Sequence, residues 1–145
     1  MRLFICCLAM AALAEPAAAQ PRSSFGGEQL SIDHAPVRED IALTCAYATE
    51  CYEAEGCQEA GFGYALSGRG GGMNNEMLVV ELDMVSDIGD VTLVGLRSGG
   101  YALSGGSFDA RHLLSIAENG DARHTVHYMS GPQVISYIGQ CVKAD

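Results

Sequence analysis

The chain has 145 residues, 8 basic against 18 acidic side chains, and a formal net charge of −10 at pH 7. That surplus repels nucleic acid and anionic lipid, which makes both poor candidates for partners, whereas a basic protein or a cation is electrostatically permitted. The length allows one domain with a modest core.

Met1-Arg2 is a short basic start, residues 3–13 form an apolar run, and Ala17-Ala18-Ala19 offers a small-x-small cleavage site before Gln20. Residues 1–19 therefore predict a secretory signal peptide, since the run is too short to span a membrane. The expected product is exported to the periplasm or the medium, with no membrane insertion after signal cleavage. Cys6 and Cys7 fall inside the signal and take no part in disulfide pairing. Residues 20–36, rich in Pro, Ser, Gly and charge, predict a flexible leader, and residues 37–145 a single all-β domain.

Residues 41–47 predict the first strand, with Ile41, Leu43 and Cys45 alternating onto one face. Residues 49–59, with two cysteines six apart and four glutamates, read as a disulfide-closed loop or a single helical turn. A strand over 61–67 is followed by Gly68-Arg69-Gly70-Gly71-Gly72, read as a loop. Leu78, Val80, Leu82 and Met84 alternate with Val79, Glu81 and Asp83, the pattern of a strand with one buried face. Residues 86–90 predict a turn, 91–96 a strand, Ser98-Gly99-Gly100 a break and 101–104 another strand.

Residues 113–141 predict a three-stranded meander. Asn119-Gly120 between apolar runs is the signature of a two-residue type I′ turn, which needs φ > 0 at both positions. That turn sets Ser115 opposite His124, Leu113 opposite Val126, and His112 opposite His127. Ser130-Gly131-Pro132 breaks the chain again, Pro132 suiting the start of a strand. The last strand then carries Ile135, Tyr137 and Cys141 on one side. Short strands separated by glycine, with no sustained helical period, predict a small antiparallel β-barrel or sandwich of about seven or eight meandering strands. The hexapeptide GYALSG occurs at 63–68 and again at 100–105, each copy followed by a loop, a strand, a turn and a strand, which suggests a duplication and a pseudo-symmetric barrel.

Outside the signal the cysteines are Cys45, Cys51, Cys57 and Cys141, which allow three connectivities. Cys45 and Cys141 sit on the apolar faces of the first and last core strands. That favours Cys45–Cys141, with Cys51–Cys57 closing a local loop. The long bridge would contribute about 4–5 kcal/mol in the loop-entropy model. A zinc site is the alternative, but no C-x-x-C pair is present.

No G-x-S-x-G elbow is present, Ser67 and Ser104 read as turn residues, and Gly70 to Gly72 introduce no helix with Lys-Ser/Thr. No enzyme and no cofactor are expected. The predicted register sets His112 and His127 with Cβ atoms about 5 Å apart, able to share copper or zinc with a third ligand such as Asp109. Glu50, Glu53, Glu55 and Glu59 lack the Asp-x-Asp-x-Asp-Gly pattern and read as a solvated acidic face. A barrel with an apolar lumen can also carry a small ligand.

Three stretches carry a resemblance: LTCAYATECYEAEGC at 43–57, LLSIAENGDARHTVHY at 113–128 and YIGQC at 137–141. In these the chain resembles a group of small exported proteobacterial proteins of unknown function, which implies an architecture and no activity. More loosely, the export signal, disulfides and short strands are similar to periplasmic lysozyme inhibitors, which present a Ser-Gly-x-basic-Tyr segment toward a lysozyme active site. The corresponding stretch here is Ser98-Gly99-Gly100-Tyr101, one residue shorter and without the basic residue. That likeness implies a basic lysozyme as partner and Ser98 and Tyr101 as contacts. The residues together predict a non-enzymatic binding or interaction module for an unknown protein or small molecule. The alternatives are a small-ligand or metal carrier, or a lysozyme-inhibitor-like protein.

Overall fold

Leu78, Val80, Leu82 and Met84 are all buried, while Val79, Glu81 and Asp83 between them face solvent. A two-residue period gives each strand an apolar face that must be covered. In the computed structural model, which describes residues 31–144 apart from 54, 88 and 132, the sheet covers that face by closing on itself. The strands are β1 (Val37–Tyr52), β2 (Gly56–Gly72), β3 (Leu78–Ser86), β4 (Gly89–Ser98), β5 (Gly100–Gly106), β6 (Ala110–Ile116), β7 (Asp121–Tyr128) and β8 (Gln133–Lys143). Each is antiparallel to the next and β8 pairs with β1, so the architecture is an eight-stranded closed barrel and not a sandwich. The expected signal peptide and Pro132 lie outside the described residues.

This up-and-down order puts the β1–β2, β3–β4, β5–β6 and β7–β8 turns at one end, called the upper, and the other connections at the lower. Of the stretch read as a leader, residues 31–36 are described, and Ile32–His34 form a 3₁₀ turn at the lower end. An eight-stranded barrel is just wide enough for side chains to fill. Leu66, Leu82, Leu93, Leu103 and Leu114 fill its middle, none more than 1% exposed. The outer face carries Arg38, Asp40, Arg69, Glu81, Asp83, Arg111 and Arg123, all exposed. A charged exterior around an apolar interior is the reverse of a membrane-spanning barrel. Among the described residues no helix is long and apolar enough to cross a membrane.

The β6–β7 turn corrects the expected register. It is a three-residue loop in which Gly120 N–H donates to the Ala117 carbonyl at 2.9 Å and Ala117 N–H to the Asp121 carbonyl at 2.8 Å. Gly120 alone takes a positive φ, +90°, whereas a type I′ turn would need one at Asn119 as well. Asn119 instead uses its side chain, Oδ1 accepting the Asp121 N–H at 3.1 Å. The longer loop slips the pairing by one residue: Leu114 faces His124, His112 faces Val126, and Arg111 faces His127. A one-residue slip moves a side chain to the other face. His112 is therefore inside the barrel and His127 outside.

Residues 49–52 pair with 56–59 as the end of the β1–β2 hairpin, not as a helical turn, with Cys51 directly opposite Cys57. Both expected disulfides are present, Cys51–Cys57 across that hairpin and Cys45–Cys141 across the closing β1–β8 seam. The glycine run 68–72 continues β2 and does not loop out. Its glycines let other groups approach: a Cβ on Gly71 would come within 2.9 Å of the Ile32 carbonyl. The two GYALSG copies lie on β2 and β5, with Tyr64 and Leu66, and Tyr101 and Leu103, turned toward the interior. Their offset is three strands. A two-fold eight-stranded barrel needs four, so the repeat does not generate that symmetry.

Candidate functional site

Alternation along β6 turns His112, Leu114 and Ile116 inward, and along β7 it turns Ala122, His124 and Val126 inward. Because His112 faces Val126 and Leu114 faces His124, the two histidines are diagonal neighbours, within reach of side chains of that length. His112 Nδ1 and His124 Nε2 are 3.0 Å apart. Adding a centre-to-vertex distance of about 1.1 Å for each ring reproduces the 5.2 Å between the ring centroids, so the two nitrogens point straight at each other. Two nitrogens bound to one tetrahedral zinc at about 2.0–2.1 Å would stand about 3.3–3.4 Å apart, wider than the 3.0 Å here. The contact is an N–H···N hydrogen bond, not a chelate.

His124 has no exposed surface and sits among Tyr47, Phe62, Tyr64 and Tyr137, with ring centroids 5.4–6.4 Å away. Burial, and secondarily His112, lowers its pKa to about 4. Burial also holds His112 below the usual imidazole value. The Tyr47 and Tyr64 hydroxyls bond to each other at 2.5 Å; burial pushes the first up to about 12 and raises the second as well. Among the described residues, His124 Nδ1 is the only fully buried side-chain nitrogen or oxygen without a hydrogen-bond partner.

Above this cluster the barrel opens. A cavity of about 500 Å³ lies at the upper end between the β3–β4 turn, the β5–β6 loop and the end of β7, walled by Met84, Asp90, Val91, Ser107 and Tyr128. His112 forms part of its inner wall. Gly106 makes room for it: its φ is +104°, and a Cβ there would come within 2.9 Å of His112 Cδ2. The lower end is closed differently, by Arg97 paired to Glu39 at 3.2 Å beside the half-buried Tyr101. A second groove of about 310 Å³, outside the barrel between the 3₁₀ turn and the β2–β3 loop, is lined by Ile32, Met77, Val79 and Leu96 and has no titratable side chain.

The other expected residues disperse. His127 and Asp109 are exposed, and the described residues contain no group of three or more His, Cys, Asp or Glu side chains able to hold a metal ion together. Glu53, Glu55 and Glu59 are exposed, while Glu50 accepts a hydrogen bond from Gln58 at 2.6 Å. Ser98 is exposed at the β4–β5 turn, but Tyr101 turns its ring inward against the core. Sequence reasoning missed His124. The signal was present in the inward parity it shares with Ala122 and Val126, but it shows only once the turn is counted as three residues. No family model, curated protein or solved structure matches the chain.

Proposed function

We propose that this chain is a non-enzymatic binding module of an oxidising, extracytoplasmic compartment, and that the upper mouth of the barrel is where its target sits. One observation carries the reading: a lumen filled mainly by aliphatic and aromatic side chains opens into a cavity of about 500 Å³ whose inner wall holds a nearly buried histidine. A mainly apolar concavity with a few placed polar groups is the usual form of a small-ligand site. The non-enzymatic part rests on the partner His112 has, an imidazole rather than a carboxylate, which is not the arrangement that activates a serine. Export is supported by the signal-like residues 1–19 and by two disulfides, which persist in oxidising surroundings.

A fragment titration followed by backbone amide NMR tests the site. Shifts are expected at Asp90, Gly106, Ser107 and Ala110. Hits that move only outer-face residues would remove the mouth from consideration. Recovery from a periplasmic fraction of a chain beginning at Gln20 is the matching test of export.

A further inference from the structure

Resting on the reading of the upper mouth as a binding site, we propose that it selects uncharged ligands that offer a carbonyl-type acceptor to a proton held on His112 Nε2 by His124. Two neutral imidazoles place one proton in the bond between them. If His112 Nδ1 supplied it, His124 would carry its own proton on Nδ1, leaving a buried N–H with no acceptor. Both rings would then hold the Nδ1–H form, intrinsically the less stable imidazole tautomer. If His124 Nε2 supplies the proton, Nδ1 is left as a bare lone pair, the milder deficit, because orphaned buried N–H groups are the rarer of the two. Both rings then keep the preferred Nε2–H form. His124 thereby acts as a positioning residue that fixes the tautomer of His112.

Among the described residues His112 Nε2 has no hydrogen-bond partner, yet it is not one of their fully buried unpartnered atoms, so it keeps access to the mouth its ring lines. The site thus presents an N–H donor among the side chains of Met84, Val91 and Tyr128. Asp90 stands at the same cavity and the chain's net charge is −10, which opposes an anion. A cation lacks the acceptor that Nε2–H requires and would leave the donor unpaired on desolvation. A neutral amide, ester or ketone on an apolar body meets both conditions.

Three probes of one shape separate these cases: cyclohexanecarboxamide, cyclohexanecarboxylate and cyclohexylammonium, titrated at pH 7 into the full chain. Long-range ¹H–¹⁵N NMR of the histidine side chains is read at the same time. The expected result is an Nε2–H tautomer at His112, a shift of that resonance with the carboxamide, and binding at least about ten-fold weaker for the two charged probes. In His124→Phe the tautomer at His112 relaxes from wholly Nε2–H to the mixture of a free imidazole, with a measurable Nδ1–H share, and the amide advantage shrinks several-fold, while the backbone spectrum stays folded. An Nδ1–H tautomer at His112 in the unmodified protein overturns the inference whatever the variants do. Equal or tighter binding of the carboxylate or the ammonium at the mouth overturns it too, while leaving the mouth as a binding site. If none of the three perturbs the mouth at millimolar concentration, the site and the inference fall together.

Discussion

A histidine with no exposed atom resists taking up a proton, and His124 does so from within a cage of four aromatic rings. Its pKa falls from the ordinary 6.5 to about 4, so the unfolded chain protonates first as the medium acidifies. The stability this neutral imidazole confers is complete above about pH 6.5 and is lost progressively as the pH drops toward 4, in all about 3 kcal/mol. Denaturant titrations at pH 7.5 and pH 4.5 should show that loss. His124→Phe, which keeps a ring of similar size among Tyr47, Tyr64 and Tyr137, should flatten the difference. An equally steep profile in the variant would assign the acid sensitivity to other groups.

At the scale of the strands, what could be read beforehand was whatever depended on period alone. Leu78 to Met84 announce a half-buried strand because every second residue is apolar, and Cys45 and Cys141 announce their pairing because each continues such a face. The glycines of 68–72 read as a loop because a residue without a side chain carries no period, although close approach demands them there: of the 3₁₀ turn at Gly71, of the Glu81 carbonyl at Gly68 and of the Met77 carbonyl at Gly72. The site was the least legible part. Bringing His112 to His124 hinges on one backbone angle at Asn119, which separates a two-residue loop from a three-residue one. A testable consequence concerns the β1–β2 hairpin. Cys51 and Cys57 close only six residues of sequence across a tip already paired by backbone bonds, so the bridge constrains little of the unfolded chain. Cys51→Ala with Cys57→Ala should lower the unfolding free energy by about 2 kcal/mol and leave the mouth's NMR shifts unchanged.

For the molecule as a whole, the two disulfides have unequal tasks. Cys45–Cys141 spans 96 residues, for which the loop-entropy model gives about 5 kcal/mol, more than twice the hairpin bridge. Equilibrium unfolding of Cys45→Ala with Cys141→Ala measures it, and a loss no larger than that of the hairpin pair would discard the entropic account.

That bridge lies on the one strand pairing that does not join neighbours in the chain, β1 with β8. A closed barrel has no edge strand; an opened one has two, here 16 and 11 residues long. Each would offer a row of unpaired backbone groups to any other opened copy. The covalent clasp therefore governs self-association as well as stability. In a reducing cytoplasm every transient parting of the seam would expose two templates for intermolecular sheet growth, whereas in an oxidising compartment the same fluctuation is held shut by the bridge near the seam's lower end.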